Sequence, residues 1–225
     1  MKNLFALIIV LFAFTLAAAQ NEQAPIVEKD VKYKNWTYKD VRSNADVNLR
    51  DLTAGKKLVV VVYFAPWCPN WKHDAPFLQR FYDKYKANGL EVVGVGEYDA
   101  VAAMATNLDT LKVTFPVVSE STDRSDREKT LHHKYRKSTG DDRKWGSPWY
   151  ILLDPASIEK KGDTLVKRSS VINGEMIEAE GEKFVRQKLG LPAMDAKTAT
   201  AKSDKIEVCD PDKPGDLKIQ PVKKP

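Results

Sequence analysis

The chain has 225 residues, 43% of them hydrophobic and 30% charged, with 11 Gly and 12 Pro, a composition that excludes collagen-like, low-complexity and wholly disordered classes. Its formal charge of +5 is too slight an excess to imply nucleic acid or a membrane surface as a partner. Two cysteines, Cys68 and Cys209, cannot build a disulfide-rich scaffold, so the core must be an ordinary hydrophobic one and each cysteine needs its own explanation.

Residues 1–19 read as a secretory signal peptide. Met1-Lys2-Asn3 precede an apolar run from Leu4 to Ala19, interrupted only by Thr15 and ended by Ala17-Ala18-Ala19, small residues that suit a signal peptidase. The run is shorter than the roughly 20 residues that a span needs, so cleavage is expected near Ala19. The remainder is expected to be exported, periplasmic or secreted, with no stable membrane anchor. Residues 20–34 are polar without a period and read as a flexible lead-in. The folded domain is expected over 35–191, and the Lys-, Asp- and Pro-rich residues 192–225 as a disordered charged tail.

Within the domain, Leu58-Val59-Val60-Val61-Val62-Tyr63-Phe64 is a continuous β-branched run, the pattern of a strand covered on both faces. From Asn70 to Ala87, Phe77, Leu78, Phe81, Tyr82 and Tyr85 recur at helical spacing, and Asn88-Gly89 supplies a stop. Leu90 to Val95 predicts a second buried strand, which completes a β-α-β unit with a right-handed crossover. Residues 100–111 predict a helix, Phe115 to Val118 a short strand and 125–137 a charged helix. Tyr150 to Leu153 and Leu165 to Val171 predict two further strands, and 178–189 a closing helix. The fold class is α/β, a central sheet with helices on both faces.

Cys68 stands between the Val-rich strand and its helix, in Ala65-Pro66-Trp67-Cys68-Pro69-Asn70-Trp71-Lys72-His73-Asp74-Ala75-Pro76. Unpaired N–H groups and the positive end of the helix dipole favour a thiolate there, and the thiolate is the nucleophile of disulfide exchange. The alternative is a small buried hydrophobe. His73 reads as a solvated surface residue. His132 and His133 are adjacent, so they face different sides of their helix and do not make a metal site. Asn35-Trp36-Thr37 is a glycosylation sequon, meaningful only if the source secretes through an endoplasmic reticulum. The peroxidatic pattern Pro-x-x-x-Thr/Ser-x-x-Cys is not met, since Val61 and Ala65 hold those positions. Nothing implies haem, flavin or nucleotide.

Tyr63-Phe64-Ala65-Pro66-Trp67-Cys68-Pro69 with Pro76 in the helix, Phe115-Pro116-Val117-Val118, and Ser147-Pro148-Trp149-Tyr150-Ile151-Leu152-Leu153-Asp154 resemble, in order, the active-site segments of thioredoxin-like proteins, and of the exported TlpA/ResA-type branch in particular. The resemblance covers roughly 35–191 and implies a central mixed sheet. It also implies a cis Pro148 facing Cys68, where the backbone at Ser147 pairs with an extended substrate. Asp74 matches an acidic position that tunes the cysteines, and Trp67, Trp71, Trp145 and Trp149 fall in the two loops that the resemblance brings together, where they either pack the loops or form an apolar rim for a peptide.

The family motif is Cys-x-x-Cys, and Trp71 stands where its second cysteine belongs. Three readings follow. Cys68 acts alone, forming mixed disulfides with protein or small thiol substrates that an external thiol resolves. Alternatively Cys209 is its resolving or structural partner, or redox chemistry is lost and the groove binds peptide. The 17 residues from Pro192 to Cys209 can extend up to roughly 55 Å, so the tail can reach the site.

Overall fold

The computed structural model describes residues 22–193 together with Cys209 and Pro211. The expected signal peptide and most of the expected tail lie outside those residues. In chain order the elements are β1 (Gln23–Ala24), β2 (Val27–Lys34), β3 (Thr37–Asp40), β4 (Asp46–Asn48), α1 (Leu49–Thr53), β5 (Leu58–Phe64) and α2 (Pro69–Tyr85). They continue with β6 (Leu90–Gly96), α3 (Val101–Thr110), β7 (Val117–Ser119), α4 (Leu131–Ser138), β8 (Trp149–Leu153), β9 (Thr164–Ile172), β10 (Glu175–Met176) and α5 (Glu178–Leu189).

Eight strands form one mixed sheet in the order β2-β9-β8-β5-β6-β7-β3-β4, and β1 pairs with β10 in a separate two-stranded ribbon. β5 lies at the centre, parallel to β6 and antiparallel to β8. Its seven residues are all buried because both faces are covered, which explains why its sequence is continuously apolar and not alternating. Leu58, Val60, Val62 and Phe64 enter the core under α2, α3 and α5. Val59, Val61 and Tyr63 enter a second core on the opposite face, with Leu49 of α1 and Tyr135 of α4.

α2 buries Trp71, Ala75, Phe77, Leu78, Phe81 and Tyr85 along one stripe, each large side chain contributing about 1.5–3 kcal/mol of transfer free energy. Pro69 at its first position costs nothing, since that N–H has no intrahelical partner. After a short 3-10 turn the chain leaves the helix through Gly89 at φ 102°, a left-handed conformation that glycine adopts without penalty. Gly96 serves packing instead: a Cβ there would overlap Met104 Sδ of α3.

Two expectations need correction. The lead-in 20–34 contains β2, which pairs antiparallel with β9. Its burial pattern exposes most residues but buries Val31 and Tyr33, so it is an edge strand with one wet face. The charged residues between Val27, Val31 and Tyr33 mask its period. The charged helix expected over 125–137 is broken, with a 3-10 segment at Arg124–Lys129 followed by α4. Thr130 caps α4 by accepting from the His133 N–H at 3.0 Å, the role for which a Thr hydroxyl is suited. The short strands β3, β4 and β10 and helix α1 were not expected from the sequence.

Candidate active site

Cys68 is the N-cap of α2 and is fully buried. Its N–H donates to Ala65 O at 3.0 Å and its carbonyl accepts from Lys72 N at 3.2 Å, so the cysteine is held at the strand-to-helix turn from both sides. Facing it is the loop before β8. The Ser147–Pro148 peptide is cis, and Ser147 Oγ accepts from Ala65 N at 2.9 Å, linking that loop directly to the cysteine turn. Cys68 and Cys209 are joined as a disulfide with Cα atoms 4.9 Å apart. Their sulfurs lie 3.3 Å and 3.2 Å from one oxygen, that of the Ser147 carbonyl.

The proline loop is braced by residues that the sequence alone did not single out. Arg143 donates to Pro148 O at 2.7 Å, its Nη1 is 3.5 Å from Ser147 O, and it is paired with Asp141 and Glu22. From α4, His132 Nε2 lies 3.1 Å from Gly146 O and Nδ1 lies 2.9 Å from the Tyr98 hydroxyl. A carbonyl only accepts, so Nε2 carries the proton and Nδ1 accepts from Tyr98. Burial and the nearby Arg136 hold His132 well below the usual histidine range, so it is a neutral bracket.

Asp74 is buried in α2. Its Oδ2 accepts from the Tyr150 hydroxyl and from Met176 N at 3.1 Å, contacts that point it toward β8 and β10. Burial, with Asp74 beside it, pushes the Tyr150 phenol well above its ordinary range, so that hydroxyl stays protonated as a donor. His73 is half-exposed and reaches Glu175 Oε2 at 3.0 Å and Asp74 Oδ1 at 3.7 Å. Those carboxylates, Asp74 first, raise its pKa to about 10, so the solvated surface histidine expected from sequence is an ion-paired one. Burial raises Glu175, with His73 opposing the shift.

The loop tryptophans divide. Trp71 is fully buried, stacked on Phe64 at 3.9 Å, with its indole N–H donating to Asn107 Oδ1 at 2.9 Å. Trp149 is also fully buried, on the other face of the sheet, donating to Asn173 Oδ1 at 2.8 Å. Neither faces a groove, because each fills core space that its strand or helix must cover. Trp67 and Trp145 do meet beside the cysteine turn, with ring centroids 5.1 Å apart. A shallow depression of about 500 Å³ is lined by Pro66, Trp67, Lys72, Asp99 and residues of α3. The sequon's Asn35 is engaged as an acceptor from Arg50 N at 2.9 Å. Val61 and Ala65, at the positions of the peroxidatic motif, are fully buried.

Mixed central sheet, helices on both faces, a cysteine at a helix N-terminus and an apposed X-Pro loop define a thioredoxin-like domain. Within that class the chain belongs to the AhpC/TSA family, whose family model matches residues 29–148. It is 24% identical over 119 residues to the thiol-disulfide oxidoreductase ResA of Oceanobacillus iheyensis, a match that takes in 52% of this chain and 61% of that relative's length. Among solved structures it is similar to a thioredoxin-family thiol:disulfide interchange protein of Chlorobium tepidum, with TM-score 0.52 and 18% identity over 72% of this chain and 98% of that one. A thiol:disulfide interchange protein from Bacteroides sp. gives TM-score 0.51 and 19% identity over 76% and 93%. At these identities the structural likeness bears on the fold alone.

Proposed function

We propose that the protein is an exported thiol-disulfide oxidoreductase in which Cys68 is the nucleophile and Cys209 supplies the second thiol that Trp71 displaces from the usual motif. The observation that carries this reading is the shared position of the two sulfurs against the Ser147 carbonyl. In the reduced state the Cys68 thiolate attacks a substrate disulfide and forms a mixed disulfide, and one substrate sulfur leaves as a thiolate. The Cys209 thiolate then attacks the Cys68 sulfur, and the second substrate sulfur leaves. The substrate gains two electrons and the protein is left with the Cys68–Cys209 bond, which an external dithiol must reduce before the next cycle.

Protein disulfides are the substrate class favoured here, with Ser147 offering backbone pairing, Pro148 shaping the loop and Trp67 an apolar flank. Asp74, already accepting two hydrogen bonds, is assigned the lesser part of tuning the thiol electrostatically. The single-cysteine reading remains as the alternative, supported by Trp71 itself, and in it an external thiol does what Cys209 does above.

Cys209→Ser separates the two. Under the two-cysteine scheme this variant accumulates a mixed disulfide at Cys68, visible by mass spectrometry, and turnover falls at least about tenfold. Turnover at the wild-type rate with added glutathione would favour the single-cysteine route. Cys68→Ser is expected to abolish exchange in either scheme, and exchange surviving it would overturn both.

A further inference from the structure

The ion pairs around His73 have a chemistry that thiol exchange does not use. His73 Nδ1 lies 3.0 Å from Glu175 Oε2 and 3.7 Å from Asp74 Oδ1, and one ligand-type atom from each of the three residues lies within 4.8 Å of the other two. Exposed acidic clusters are common and mean little, but these carboxylates are not exposed: Glu175 is 0% accessible and Asp74 2%. Asp74 is anchored on its far side, where Oδ2 accepts from Tyr150 and Met176 N–H, which leaves Oδ1 turned toward the cluster. Glu175 Oε1 has no hydrogen-bond partner. A buried carboxylate oxygen left unpaired is rare unless something occupies the space before it.

The charges point the same way. Two buried carboxylates face one imidazole, while Arg143 is occupied by Glu22 and Asp141. Ligands bound to one ion at about 2.0–2.2 Å stand roughly 3–3.5 Å from one another, close to the two separations given above. The ligand atoms of Asp74 and Glu175 lie within 4.8 Å of each other. The His73 side chain is 46% exposed, so the cluster has an open side through which an ion can enter and water can complete the coordination sphere.

We propose that His73, Asp74 and Glu175 form a binding site for a divalent cation of the zinc class. One nitrogen and two carboxylate ligands suit Zn²⁺, with Mn²⁺ or Co²⁺ as weaker substitutes, and do not suit the thiophilic Cu⁺. The ion takes the place that a proton on Nδ1 otherwise holds. It joins α2 to β10, and Tyr150 and Met176 orient the aspartate from behind as outer partners commonly do. The site shares Asp74 with the exchange activity proposed above, but ion binding is read without turnover and needs neither thiol.

Calorimetric titration of Zn²⁺ into the oxidised protein, where the Cys68–Cys209 bond leaves no thiolate to compete, tests this. One equivalent should bind with a Kd below about 10 µM, and Co²⁺ should give a visible spectrum of mixed nitrogen and oxygen ligation. His73→Gln, which changes only a half-exposed ring, and Glu175→Gln should each weaken binding at least about tenfold. Circular dichroism checks that the variants are folded, and if Glu175→Gln is not, His73→Gln decides alone. Absence of saturable binding to the wild type, or binding that His73→Gln leaves unchanged, overturns the proposal.

Discussion

The carbonyl oxygen of Ser147 gathers the two sulfurs and a guanidinium nitrogen, and its position is set by residues scattered through the sequence. Cys68 stands out in the sequence from its strand-turn-helix setting, and Ser147 and Pro148 from a single segment that resembles thioredoxin-like proteins. Arg143, Glu175 and Tyr150 do not, since an arginine, a glutamate or a tyrosine acquires meaning only from what the fold sets beside it. Trp71 and Trp149 mislead for the opposite reason: a tryptophan beside an active-site motif invites a substrate role, whereas both are needed as core. Glu97 makes a sharper case. It is fully buried, and burial, with the Glu120 carboxylate beside it to receive its proton in a hydrogen bond, raises its pKa well above the ordinary range. Between its unfolded and folded pKa the unfolded chain has released the proton that the native state retains, so this group costs stability as pH rises. Glu97→Gln keeps the shape and removes the ionisation. Thermal melts should show the variant gaining stability over wild type as pH rises above about 5, at up to about 1.4 kcal/mol per pH unit; a pH-independent difference would refute this.

At the level of elements, the long regular pieces were readable and the short ones were not. β5, β6, α2 and α5 carry enough periodic apolar residues for position to follow from sequence, and α5 spans Glu178–Leu189 as expected. β1, β3, β4 and β10 contain two to four residues each, too few for any period to show. β2 is long enough, but as an edge strand it advertises charge. The ribbon of β1 and β10 matters despite its size, because Glu22 just before it reaches Arg143 and Asn70. Gly174 permits this approach: a Cβ there would collide with the Glu22 backbone carbonyl, and backbone cannot swing aside as a side chain can. Gly174→Ala should therefore release β1. Hydrogen exchange at residues 23–26 should quicken about tenfold or more, with little change at β5 and β6; unchanged protection at β1 would show that the collision is relieved elsewhere.

For the molecule as a whole, the bond between Cys68 and Cys209 ties positions 141 residues apart. On the chain-entropy account a closure of that size stabilises by about 5 kcal/mol, an upper figure, with about 2–4 kcal/mol usual. Urea unfolding with and without dithiothreitol should show the reduced protein losing stability of that order, and Cys209→Ser without reductant should match the reduced wild type. Coincident curves would mean that the bond contributes nothing to folding. Because the stability gained on oxidation equals the amount by which folding makes the bond harder to reduce than in the unfolded chain, the same experiment gives the shift in reduction potential that a reductant in the proposed exchange cycle would have to meet.

The register of β2 with β9, from Val27 opposite Val171 to Lys34 opposite Thr164, bears on the order in which the protein is made. The ribosome delivers β2 about 130 residues before β9, its sheet neighbour among the described residues, and at about 5–20 residues per second the strand waits on the order of ten seconds for that partner. During that interval it is an unpaired edge in a growing chain, open to pairing with other nascent molecules. Glu28, Lys29, Asp30 and Lys32, which concealed the strand from a reading of the sequence, are the residues that keep it soluble while it waits.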